Sequence, residues 1–290
     1  GAIGRPARSA LLPQLVPREV FPNAVAWNMS TMQVERVVGP ALSGFIVLWN
    51  VPGAYVGAAV GSGLCAILLQ RMTFRSTGGA ASEAPMKALF GGLEFLRGNR
   101  LILTLMSLDM FAVLFGGAVY LLPIFAEEIL KVGPEGFGWL RAAPAVGAFC
   151  MALLIAHLPP MQKAGRNLLL AVGAFGAVTI VFGISDSFWL SFAMLFLTGV
   201  FDNVSMVIRH TLIQLSTPDA MRGRVSAVTG VFTSASNELG GLESGVMAHY
   251  FGPIFSVVSG GIGTIFVVIV TGLVSPRLRT HGALTKHSEE

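Results

Sequence analysis

Leu11-Leu12-Pro13-Gln14-Leu15 opens a stretch, running to Gly44, that returns about two hundred residues further along the chain. Its echo is Thr211-Leu212-Ile213-Gln214-Leu215. Pro17-Arg18-Glu19 returns as Pro218-Asp219, and each copy stands just before a long apolar helix pattern. Gly39-Pro40-Ala41-Leu42-Ser43-Gly44 lines up with Gly240-Gly241-Leu242-Glu243-Ser244-Gly245 once the offset slips by one residue. Three matches in order, at an almost constant offset, describe a duplicated unit of about two hundred residues.

The composition says where such a unit lives. Residues of the AVILMFWYC set make up 53% of the 290 and charged residues only 12%, with a mean hydropathy of +0.72. A soluble domain carries a charged fraction of about 25%, so this is the composition of a membrane protein. The net charge of +4 is not a nucleic-acid footprint, because the basic residues are spread over short segments between apolar runs. Cys65 and Cys150 both lie inside apolar runs and read as buried small hydrophobes. Gly1 is not an initiator methionine and nothing near it resembles a cleavable signal, so the chain is expected to start in mid-protein.

After a stub, Gly1 to Pro22, eight stretches have the roughly 20 apolar residues needed to cross about 30 Å of hydrocarbon. They are Asn23 to Leu48, Pro52 to Met72, Leu101 to Phe125, Phe137 to Leu158, Asn167 to Ile184, Phe188 to Arg209, Val225 to Tyr250 and Pro253 to Val274. Turn chemistry separates them: Asn50-Val51-Pro52-Gly53, Gly133-Pro134, Pro159-Pro160, Ser185-Asp186-Ser187 and Gly252-Pro253. Sixteen of the nineteen basic residues fall in alternate connections, on one side of the membrane. The opposite side has Lys131 among Glu127, Glu128, Glu135 and Asp186, while Arg36 and Arg141 lie within spans. A miscounted span would scramble this segregation, so eight spans with both ends cytoplasmic are expected.

The first and seventh spans match, so the repeated unit holds six spans and returns the chain to the same side in the same orientation. Residues 1–72 then read as the end of an N-terminal six-helix half, 73–100 as a central cytoplasmic loop, 101–275 as a complete C-terminal half and 276–290 as a cytoplasmic tail. By the same offset, roughly 100 residues are expected to be missing in front, with eight spans present of twelve. Within the loop, Met86, Leu89, Phe90, Leu93 and Leu96 recur at near-helical spacing. They suit either an amphipathic helix at the inner interface or an ordinary linker helix.

Six plus six spans around a long central loop resembles the major facilitator superfamily. Arg5-Pro6-Ala7-Arg8-Ser9-Ala10-Leu11-Leu12-Pro13, Asn23-Ala24-Val25-Ala26-Trp27-Asn28, Arg36-Val37-Val38-Gly39-Pro40-Ala41-Leu42-Ser43-Gly44 and Arg222-Gly223-Arg224-Val225 resemble its exporter branch, which includes the enterobactin exporter and macrolide efflux proteins. The resemblance implies an all-α helical bundle in the bacterial cytoplasmic membrane. It implies secondary, proton-coupled antiport of a siderophore or drug-like small molecule by alternating access, by a monomer with no cofactor, metal or nucleic-acid partner. One motif departs: the family's basic loop, with an Asp-Arg pair before Gly-Arg, is present only as Gln162-Lys163-Ala164-Gly165-Arg166.

Charged groups in hydrocarbon are costly and line cavities or pathways. At 1.5 Å per residue, Glu35 and Arg36 lie about 18 to 20 Å from the start of their span, and Asp109 about 12 Å from the start of its own. Glu35, Arg36, Asp109, Asn237 and Glu238 are therefore the candidates for the substrate and proton pathway. Ser236 and Asn237 are the repeat partners of Glu35 and Arg36. Asp109 has no basic residue within one helical turn, and desolvation favours its protonated form, which suits proton exchange. Asp202, Arg209, Arg222 and Arg224 are candidates for a cytoplasmic gate. Asp202 and Arg209 share a helix face, but a gap of about 10 Å excludes a bond between them. Arg141 and His157 are close enough to opposite surfaces to snorkel. Gly57 and Gly61, and Gly241 and Gly245, have small-xxx-small spacing for helix contacts.

No phosphate-binding G-x-x-x-x-G-K-[ST] loop, zincin helix or nucleophile elbow is present, so an enzyme is not expected. A membrane-embedded enzyme or lipid scramblase, and a non-transporting membrane subunit, are the alternatives to a transporter.

Overall fold

The computed structural model describes residues 51–71, 85–157, 163–218, 221–275 and 278. Every element among them is helical. The first predicted span, with Glu35 and Arg36, lies outside the described residues.

The chain divides into two compact units, 1–82 and 83–290. The first contributes α1, Val51–Arg71, where a span was expected; its apolar run is short, Val56–Cys65. The second contributes the linker helix α2, Pro85–Gly98, and then α3, Arg100–Phe115. A broken segment follows: a 3-10 turn Gly117–Val119, a short α4 Leu122–Ile124 and a π turn Phe125–Ile129. The remaining helices are α5, Gly133–His157; α6, Ala164–Gly183; α7, Phe188–Leu215; α8, Arg222–Phe251; and α9, Pro253–Val274.

Among the described residues five stretches are long and apolar enough to cross a membrane: Arg100–Ile129, Gly133–Ile155, Ala164–Gly183, Phe188–Leu215 and Pro253–Val274. Helix α8 is 30 residues long, about 45 Å at 1.5 Å per residue, but too polar to join that set, since it carries Asn237, Glu238, Glu243 and a run of Ser and Thr. The third expected span is not one continuous helix. Gly116 and Gly117 interrupt it, and Pro123 has no N–H to carry an α-helical ladder through the next turn.

Helix α7 packs on α5 and α6, α6 on α9, and α3 on α8 and α9. The α5–α7 crossing is set by small residues: a Cβ at Gly199 would overlap the Pro144 carbonyl, and one at Gly147 would overlap the Phe196 carbonyl. One apolar core lies toward the end carrying Arg100 and Arg222, around Leu96, Leu105, Leu168, Ile208 and Leu212. The other lies toward the opposite end, around Leu122, Phe125, Leu140, Phe182 and Leu195, with the Phe125 and Phe182 rings stacked at 4.8 Å.

Helix α2 lies on protein. Leu96 is fully buried in the first core, and a Cβ at Gly92 would stand 2.8 Å from the Arg224 carbonyl at the start of α8. Asn99 closes the junction: its Oδ1 accepts from the Ile102 N–H at 3.3 Å and its Nδ2 donates to the Ser216 carbonyl at 3.5 Å. The expected glycine contact of α8 exists one residue out of register. Gly245 faces open space, whereas Gly240 meets the Val113 carbonyl (2.8 Å to a built Cβ) and Ser244, four residues on, closes against Gly117. Nothing lies within 4 Å of a Cβ built at Gly57 or Gly61. Cys150, expected to be buried, is exposed on α5.

Candidate functional site

Helix α3 places Asp109 about 14 Å from its first residue, and α7 places Arg209 about 9 Å from its last. The two helices run in opposite directions, so these positions fall at similar depth. The Arg209 Nη2 donates to Asp109 Oδ1 at 2.8 Å, and both side chains are about nine-tenths buried, with 11% and 10% exposure. Arg209 Nη1 also donates to the Ser205 hydroxyl at 3.0 Å, one turn earlier on α7. From α8, the Thr233 hydroxyl reaches Asp109 Oδ2 at 3.5 Å.

The pair closes one wall of a cavity of about 10 Å³ lined also by Met106, Met110, Thr229, Phe232 and Ser236. That is the lower limit for a single water. Helices α3 and α7 share little other surface, so the ion pair is the main polar tie between them.

This corrects the sequence-level grouping in one respect. Asp109 has no cation within a turn of its own helix, but α7 supplies one, which a reading of α3 by itself does not show. Arg209, assigned by spacing to a gate with Asp202, Arg222 and Arg224, stands instead in the same buried site as Asp109. Asp202 is exposed and outside this cavity. Arg224 lies at the α2–α8 contact, with Nη1 3.9 Å from the Met221 sulfur. For Arg222 only the backbone, opening α8, is described.

The remaining candidates separate along α8. Asn237 and Glu238 are both exposed, and Asn237 Nδ2 donates to the Thr233 carbonyl on its own helix at 2.8 Å. Arg141 donates to the Val119 carbonyl at 3.3 Å, capping the broken segment after α3. His157 Nδ1 lies 2.8 Å from the Leu153 carbonyl. Ser205 and Thr233 belong to the site and were not singled out by sequence. The available signal was Ser205 standing four residues before Arg209, on the same helix face. Among the described residues no cluster of three His, Cys, Asp or Glu side chains could hold a metal.

The site is thus a buried charge pair on α3 and α7, with the Thr233 hydroxyl of α8 against the carboxylate. Comparison with known proteins gives the family: the model of the transmembrane secretion effectors matches residues 1–289. The chain belongs to that family, in the exporter branch of the major facilitator superfamily. The enterobactin exporter EntS of Escherichia coli O1:K1 / APEC is 27% identical over 284 residues, which cover 96% of this chain and 67% of that protein. EntS of Shigella boydii serotype 18 matches with the same identity and coverage. This exporter is accordingly an integral, multi-pass bacterial membrane protein that carries out efflux of a small molecule, and a transporter, not an enzyme.

Proposed function

We propose that this exporter is a secondary transporter that expels a siderophore-type or drug-like small molecule in exchange for protons. In this reading it works as a monomer in the cytoplasmic membrane, and two six-helix halves alternate access to a central site. The observation that carries the proposal is the buried Asp109–Arg209 bridge at 2.8 Å. The names of the EntS relatives support the substrate class.

With Asp109 ionised, the bridge ties α3 to α7. A proton arriving on Asp109 removes the negative charge, so the ion pair becomes a hydrogen bond from the still-cationic Arg209 to a neutral carboxyl, and Arg209 keeps Ser205 as its other acceptor. A buried ion pair balances a large desolvation cost against a large attraction, so losing one charge has a large effect on the packing of the two helices. Thr233 gives the protonated carboxyl a nearby hydroxyl on α8. Proton occupancy thereby biases which arrangement of the helices is favoured, as coupling to a gradient requires.

The test is substrate efflux from vesicles containing the full-length protein, with and without an imposed pH gradient. Asp109→Asn by itself strands Arg209, so the informative variant is Asp109→Asn with Arg209→Gln, which removes both charges. A stable double variant that binds substrate but no longer responds to the gradient is the expected result. A double variant with normal gradient-driven efflux would reduce the pair to a structural role.

A further inference from the structure

A second cavity lies away from the ion pair, between the first two turns of α3 and the last turn of α9. It has a volume of about 240 Å³ and is lined by Leu103, Thr104, Ser107, Val270, Thr271, Val274 and Ser275. Its rim is apolar and open: Val274 is 77% exposed and the adjoining Leu273 73%. Helix α9 carries no titratable residue along its 22 positions, so this wall has the character of a lipid-facing surface.

The floor is polar in a way that such a wall does not require. A threonine on a membrane helix normally satisfies its hydroxyl on the carbonyl four residues back, and Thr179, Thr211, Thr229 and Thr264 do so here. Thr104 likewise bonds the Arg100 carbonyl at 2.8 Å and lies 3.1 Å from the Ser275 hydroxyl. Thr198 uses the Leu195 carbonyl and Thr233 turns to Asp109 instead, whereas Thr271 uses neither kind of partner. Among the described residues neither its hydroxyl nor that of Ser107, facing it across the groove, makes a hydrogen bond. Neither is sealed inside the protein, since Ser107 is exposed and Thr271 half-buried, so both donors open onto whatever fills the groove, where water is scarce. The groove therefore offers two donors beside an apolar wall, and it suits a ligand that brings acceptors together with an apolar body.

We infer that the groove is a binding site for one diacyl glycerophospholipid of the leaflet at the Arg100 end. The ester carbonyls accept from Ser107 and Thr271, and one acyl chain lies over Leu103, Val270 and Val274. The exposed Arg100, one turn below Thr104 and toward the surface, faces the phosphate. The site is independent of the ion pair and of any coupling to protons.

Native mass spectrometry of the full-length protein from vesicles of dioleoylphosphatidylglycerol tests this, with the ether-linked dioleyl analogue as the matched probe lacking both carbonyls. The unmodified protein is expected to retain one diester lipid about tenfold more tightly than the diether, the worth of one to two net hydrogen bonds. Ser107→Ala with Thr271→Val should erase that preference, while Thr271→Ser, which keeps the donor, should preserve it. Equal retention of the two lipids by the unmodified protein would overturn the inference, and that comparison needs no variant to fold. A preference that survives in the double variant would overturn the assignment of these two hydroxyls.

Discussion

Asp109 and Arg209 lie on helices that share little other surface, yet their side chains meet at 2.8 Å in a site that excludes nearly all solvent. Removing one member leaves the other charged and buried, which costs about 3–5 kcal/mol, whereas removing both together is far less damaging. Asp109→Asn and Arg209→Gln should each lower the thermal transition of the purified protein sharply, and the double variant should recover most of the loss. Losses that simply add would show that the two side chains do not depend on one another.

The crossing of α5 and α7 depends on the absence of a side chain at Gly199. Even a methyl group there would overlap the Pro144 carbonyl, and backbone cannot move aside as a flexible side chain does. Gly199→Ala is expected to destabilise the bundle by about 1–3 kcal/mol or more, read as a lower melting temperature or as lost expression. Gly245→Ala on α8, with open space around it, is the matched control. Equal melting temperatures for the two variants would count against the close crossing.

Two glycines of the linker helix make opposite predictions. Gly92→Leu would drive a side chain into Arg224 and Val228 of α8 and should cost about 1–3 kcal/mol. Gly98→Ala meets nothing within 4 Å and should be neutral or stabilising by about 0.4–1 kcal/mol, through the entropy of the unfolded chain. Thermal melts of both proteins decide whether α2 is docked on α8.

The segregation of basic residues makes a prediction about sidedness. Arg97 and Glu127 are both exposed and stand at opposite ends of the Arg100–Ile129 span. A cysteine replacing Glu127 should react with an impermeant maleimide added to intact cells, and one replacing Arg97 only after the cells are opened. Labelling of the Arg97 site from outside would reverse the topology.

Much of the architecture was legible because it depends on short-range chemistry. Apolar runs of the length of a bilayer, broken at Gly133-Pro134, Ser185-Asp186-Ser187 and Gly252-Pro253, located α5, α6, α7 and α9 directly. The break after Phe115 was not read, since Gly116-Gly117 and Pro123 sit inside a run whose hydropathy does not fall. Helix α8 was read as one of the eight apolar spans, although its composition is too polar to join the five that qualify among the described residues.

The sequence by itself determined that Asp109 is a carboxylate near mid-depth in a membrane span, because depth along a helix can be counted, and it placed Arg209 at the cytoplasmic end of its own span. Only the tertiary structure decided that they are one site. Their pairing follows from the opposite directions of α3 and α7 and from how far each helix is rotated about its axis, and both are set by contacts with third parties. Gly240 and Ser244 draw α8 against α3, and Gly147 and Gly199 draw α5 against α7. The same reason explains the slip from Gly241 to Gly240: a small-residue spacing marks a helix face to within about 100°, and one residue of rotation is settled by the shape of the neighbour.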